Sequence, residues 1–86
     1  MHVEYSNKYL KATSRLSAKL IALADTKEIL FRLDPFHPAL KTHRLHGKEK
    51  DAWAFSITQK YRIKFIFLSD TVVLFLDIGT HDEVYR

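Results

Sequence analysis

The sequence predicts a single α+β domain of order β-α-α-β-β-β-β, in which an antiparallel sheet is covered on one face by an N-terminal pair of helices. Three observations predict it. Apolar residues between Asn7 and Leu33 recur with a helical period, and the period drops to two after residue 51. The strands so marked are separated by turns of two or three residues, Ser69–Asp70 and Thr58–Lys60, which favours antiparallel pairing of neighbours. A chain of 86 residues, taken as one domain over 1–86, has enough aliphatic and aromatic residues for one core and too few for two.

Residues His2 to Tyr5 read as a short opening strand, and Ser6 stands where an N-cap would offer its side-chain oxygen to the free amides of the next turn. Leu20, Leu23, Ala24, Leu30 and Phe31 fall at spacings of three, four and seven and so line one helical face. The hydroxyl-rich stretch Ser14 to Ser17 competes for backbone hydrogen bonds, which divides the region into two helices. Asp34-Pro35 ends the second, because the residue before proline is pushed out of the helical region.

Pro35 to Gly47 reads as a loop or weak edge strand carrying His37, His43 and His46. Beyond it Trp53, Phe55 and Ile57 alternate with small residues, and Tyr61, Ile63, Phe65 and Phe67 alternate with Arg62 and Lys64. Val72 to Ile78 is almost wholly apolar and completes three strands. If the aromatic side of the Tyr61–Phe67 strand faces the helices, Arg62 and Lys64 form a basic floor on the open face.

Bulk properties narrow the partners. A formal charge of +4 and a pI near 9.5 favour phosphate polymers or an acidic protein segment. With no cysteine there is no disulfide framework, and a reducing, cytoplasmic setting is the natural reading. Met1-His2-Val3-Glu4 has neither a basic nor an apolar leader region, so no signal peptide is expected. No apolar run approaches the roughly 20 residues that span a bilayer, so no membrane is expected as a partner.

Four features carry candidate chemistry. His37, His43, His46 and His81 carry imidazoles, the side chain best suited to proton transfer at physiological pH, against the alternatives of ordinary surface histidines or a zinc site. Arg62, inside an apolar strand, either pairs with Asp77 or Asp51 or offers its guanidinium to a phosphate. The polar run Ile78 to Arg86 follows directly on a buried strand, where a rigid scaffold aims side chains, although a frayed tail with Tyr85 packed on the sheet reads equally well. Lys41, Arg44, Lys48 and Lys50, interrupted by Asp51, either track a phosphate backbone or form a solvated rim, the reading that residue chemistry alone favours.

The order of these elements, together with DPFHPAL at 34–40, THRLHG at 42–47, Tyr61-Arg62-Ile63 ahead of an apolar strand and DIGTHDEVY at 77–85, resembles the RelE/ParE toxin superfamily along the whole chain, and within it the histidine-using mRNA interferases of the plasmid-stabilisation type. The resemblance implies the toxin of a type II toxin–antitoxin system, an endoribonuclease that cleaves ribosome-bound mRNA by attack of the 2′-hydroxyl and needs no metal or other cofactor. It implies His43 and His81 as the acid/base pair, Arg62 as the clamp on the phosphate and Tyr85 as a functional tyrosine. On this reading Lys41, Arg44, His46, Lys48 and Lys64 contact RNA. An antitoxin is the implied protein partner, in a hetero-oligomer. Two features depart from the family pattern: Ala52 to Thr58 offers no lysine, and Asp77 stands where histidine-using relatives carry an arginine. The alternatives are a gyrase-binding ParE-like member without enzymatic activity and an inactive, antitoxin-binding remnant.

Overall fold

In a computed structural model of the protein, which describes residues 1–47, 49 and 51–85, the chain runs β1 (His2–Tyr5), α1 (Asn7–Thr13), α2 (Ala18–Leu33), a 3-10 turn (Pro38–Leu40), β2 (His43–Arg44), β3 (Ala52–Ser56), β4 (Tyr61–Phe67), β5 (Val72–Thr80) and α3 (His81–Val84). Ser6 Oγ accepts from the Tyr9 amide at 3.0 Å and donates to the Leu76 carbonyl at 2.9 Å, so one side chain both starts α1 and ties it to β5. The helical stretch divides where the hydroxyls predict. Thr13 and Ser14 donate back to the Leu10 and Lys11 carbonyls, and Ser17 caps α2 through the Leu20 amide. Asp34, ahead of Pro35, closes α2.

The sheet has the order β1-β5-β4-β3-β2. β2 through β5 pair antiparallel, as their short connections require. β1 instead lies parallel to β5, so the sheet is mixed and not antiparallel throughout. The chain leaves β1 through two helices and returns by way of the other strands, so the edge beside β5 is reached from the same direction as β5 itself.

Both helices pack on one face. Phe31 of α2, fully buried, lies 4.7 Å from the Phe55 ring, 4.9 Å from Phe65 and 5.6 Å from Phe75, one aromatic plug against three strands. Burying such a ring contributes roughly 1.5–3 kcal/mol by transfer from water. Tyr5, Glu28 and Arg32 form a hydrogen-bonded clasp between β1 and α2 at the rim of this core. Among the described residues no helix is long and apolar enough to cross a membrane.

The other face positions the site. Register places His43 opposite Ala54, Ala54 opposite Lys64, and Lys64 opposite Asp77, one row across four strands. Cross-strand partners share a face, and Arg62 falls on the same face two residues along. A second row, Ser56–Arg62–Gly79, runs beside the first. The face is less open than alternation alone suggests, because α3 folds back over β4 and β5. Ala54 and Ala52 are fully buried and Lys64 is only 4% exposed.

Candidate active site

The sequence around Gly79 builds a support for two side chains. Thr80 caps α3 by accepting from the Glu83 amide, while the Glu83 carboxylate accepts from the Thr80 amide at 2.8 Å, a reciprocal capping box. A Cβ on Gly79 would stand 3.0 Å from Glu83 Oε1 and 3.2 Å from Glu83 Cβ, so the box closes over a residue without a side chain. The His81 amide donates to the Lys60 carbonyl at 3.0 Å, fixing the start of α3 to the β3–β4 turn. His81 and Tyr85, one helical turn apart, then pack with ring centroids 4.0 Å apart and planes tilted by 38°. The run expected either to aim side chains or to fray is therefore a short, capped helix.

From the opposite edge of the sheet, His43 meets the same tyrosine. Its Nδ1 lies 2.9 Å from the Lys41 carbonyl, an oxygen that can only accept, so Nδ1 carries a proton. In the neutral ring this leaves the Nε2 lone pair free to accept, and the Tyr85 hydroxyl donates to it. Lys41 supplies this carbonyl from the left-handed region, φ 51°, at the end of the 3-10 turn. Its part in the site is thus through its backbone, while its side chain is exposed.

Tyr85 is the hub. Burial pushes its pKa above the ordinary tyrosine value, an effect opposed by the charge and hydrogen bonding of Arg62. The hydroxyl therefore keeps its proton at neutral pH and remains a donor. Arg62, half-buried, also donates from Nη1 to the Thr58 carbonyl at 2.6 Å and to its neighbour Tyr61 at 3.2 Å. Neither ion pair proposed for Arg62 from the sequence forms: Asp77 meets Lys8 at 3.5 Å and Asp51 meets Arg44 at 3.0 Å. Arg62 is neither sealed in the core nor turned away from the histidines.

A cavity of about 440 Å³ opens beside the His43–Tyr85 contact. His43, Leu45, His46, Lys64, Val84 and Tyr85 contribute to its walls. Ala54, fully buried, lies between His43 and Lys64 in the cross-strand row. Lys64 reaches the cavity from β4 and pairs with Glu49 at 2.8 Å. It is a buried cation and not part of an exposed basic floor.

The remaining sequence candidates separate. His46 is exposed at the cavity wall, and Arg44 is exposed but engaged with Asp51. His37 turns its Nδ1 to the Ala39 amide and caps the 3-10 turn. Lys48 and Lys50 lie outside the described residues. Sequence reading missed the Lys41 carbonyl and the capping box, of which only the second has a local signature, Thr-x-x-Glu at 80–83. Among the described residues no group of three or more His, Cys, Asp or Glu side chains is arranged to hold a metal ion.

Compared by sequence, the chain matches no family model and no curated protein. Its fold does match solved structures. YafQ from Escherichia coli strain BL21(DE3) superposes with a TM-score of 0.81 at 17% identity, covering 98% of this chain and 97% of that one. YafQ in the E. coli DinJ–YafQ toxin–antitoxin complex gives 0.70 at 20% identity, over 98% and 96%. A YoeB/ParE toxin from Agrobacterium tumefaciens gives 0.75 at 16%, over 94% and 99%. The chain has the fold of the RelE/ParE-type toxins, the fold that its sequence resemblance implies.

Proposed function

We propose that the protein is the toxin of a type II toxin–antitoxin pair, and that it is an endoribonuclease cleaving mRNA on the ribosome by attack of a ribose 2′-hydroxyl on the adjacent phosphorus. The observation that carries this reading is the convergence of His43 and His81, 38 positions apart by number, on the single side chain of Tyr85, with Arg62 in electrostatic contact with that tyrosine. Two imidazoles and a fixed cation meet the needs of this reaction: a base at the 2′-oxygen, an acid at the departing oxygen, and positive charge at the phosphoryl oxygens.

His43 takes the part of the base. Its tautomer, set by the Lys41 carbonyl, presents a lone pair at Nε2, and a substrate 2′-hydroxyl replaces the Tyr85 hydroxyl there. As the proton passes to Nε2 the 2′-oxygen bonds to phosphorus and the bond from phosphorus to the 5′-oxygen breaks. His81, protonated, supplies the proton that the 5′-oxygen takes up. The products are a 2′,3′-cyclic phosphate and a 5′-hydroxyl. The Asp82 carboxylate lies 3.5 Å from His81 Nδ1. Arg62 supplies charge stabilisation. No step calls on a metal.

The same fold in a toxin–antitoxin complex, and the chain's positive charge, support an acidic antitoxin as the protein partner. Cytoplasmic action follows from an mRNA substrate. Induction of the wild type, His43→Ala, His81→Ala and Arg62→Ala, followed by mapping of new 5′ ends on cellular mRNA, tests the enzyme. Cleavage by the wild type with loss of about 10²- to 10⁴-fold in the histidine variants is expected. Growth arrest without new ends, unchanged in His81→Ala, overturns the nuclease and leaves a binding-only toxin.

A further inference from the structure

Lys64 is the one lysine in the row of residues leading from His43 across the sheet, and its situation differs from that of a surface lysine. Its side chain is 5% exposed, its Nζ carries a charge that burial makes costly, and its bonded partner among the described residues is the Glu49 carboxylate at 2.8 Å. Glu49 is 49% exposed and lies at the rim of the cavity that Lys64 and His43 both line. The opposing residue Asp77 is already occupied: its Oδ1 accepts from the Ile78 amide and its Oδ2 faces Lys8. A buried ammonium group with three donors thus faces an open cavity and is neutralised by a single carboxylate that water can reach from the other side.

We propose that Lys64 is the phosphodiester-binding residue of this cavity and that Glu49 is its internal stand-in, a carboxylate holding the place of a phosphate until RNA displaces it. The proposal rests on the nuclease reading of the same site. Exchange of one anion for another leaves Lys64 neutralised throughout, so the buried charge never stands alone. Glu49, half in water already, gives up little when its side chain swings out. A phosphate of the bound strand then lies on the Lys64 side of His43, which orients the chain along the cross-strand row. Glu49 therefore acts as a built-in competitor that sets how tightly RNA must bind to enter.

The test is binding of an RNA oligonucleotide carrying 2′-O-methyl groups, which cannot undergo 2′-hydroxyl attack, to purified wild type, Glu49→Gln, Lys64→Met and the double variant, by fluorescence anisotropy. Methionine keeps the volume of the lysine stem, and glutamine keeps a hydrogen-bond acceptor near Nζ while removing the charge. Glu49→Gln binds about fivefold tighter and Lys64→Met about fivefold weaker, as expected for one charge-assisted contact. In the Lys64→Met background, Glu49→Gln adds nothing. Asp70→Asn, which removes one exposed negative charge from the β4–β5 turn, controls for net charge. Glu49→Gln no tighter than Asp70→Asn, or equally effective with and without Lys64, overturns the proposal whether or not Lys64→Met folds. Because the probe cannot be cleaved, exchange is read apart from the chemistry: exchange intact with no new 5′ ends on cellular mRNA removes only the nuclease, new 5′ ends without exchange remove only the stand-in, and no binding by any variant overturns the stand-in.

Discussion

The Tyr85 hydroxyl donates to His43 Nε2, joining the end of α3 to the two-residue strand at the far edge of the sheet. The Lys41 carbonyl sets the tautomer of this imidazole, and the Tyr85 bond occupies its acceptor nitrogen. Tyr85→Phe keeps the ring against His81 and removes only the donor. Single-turnover cleavage by this variant is expected to fall by about fivefold, the equivalent of one hydrogen bond of about 1 kcal/mol. A loss as large as that of His43→Ala would make the phenol itself the proton-transfer group.

Gly79 underlies the position of both aromatic partners. In Gly79→Ala the new methyl group meets the Glu83 side chain at 3.0–3.2 Å, so the capping box must open or α3 must shift. A loss of about 1–3 kcal/mol in denaturant unfolding is expected, with cleavage reduced beyond what the unfolded fraction explains. Glu83→Ala should reproduce the smaller part of this effect, about 1 kcal/mol. Full activity in Gly79→Ala would show that the placement of His81 does not depend on the box.

Alkaline pH should loosen the fold. Burial raises the pKa of Tyr9, Tyr5 and Tyr85, in each case as the largest cause, with Glu28 adding to the first two. A raised folded-state value means that the native state holds its phenolic protons more tightly than the unfolded chain. That stabilisation is complete below the unfolded value of about 10 and is lost as pH rises through the folded values. Melting temperature measured from pH 8 upward should be flat until near pH 10 and then fall. Tyr9→Phe should flatten the fall, since Tyr9 carries the largest shift.

Phe31→Ala removes the plug shared by β3, β4 and β5. A loss of about 3–5 kcal/mol is expected, enough to unfold a domain of this size without a partner. Chemical denaturation of the variant, alone and with a co-expressed antitoxin, measures it. A well-folded free variant would mean that neighbouring rings close the gap.

Most of the fold is written in local patterns. The hydroxyls at 13–17 divide the helices, Pro35 ends the second, and the alternation in Tyr61–Phe67 assigns the faces of the sheet. The parallel docking of β1 has no such trace, since His2–Tyr5 carries no mark of which strand it joins or in which direction. The site was legible in its residue types and not in its bonds. His43, His81, Arg62 and Tyr85 do come together, but the carbonyl that orients His43 belongs to a left-handed residue that side-chain chemistry does not reveal. Alternation likewise placed Lys64 on the correct face. It could not show that α3 and Glu49 would cover that face and turn a surface cation into a buried one.

The union of β1 with β5 also bears on how the molecule is made. Ser6 and Leu76, bonded at the head of α1, are 70 positions apart, and the opening strand has no ladder to join until that distant segment has been synthesised. Closing so long a loop is entropically demanding and slow beside helix formation. Helices α1 and α2 can form early on the nascent chain, yet the platform beneath His81 and Tyr85 is assembled only after translation has passed β5. On the proposed nuclease reading, no cleavage is expected from a nascent chain in which β5 has not yet been made.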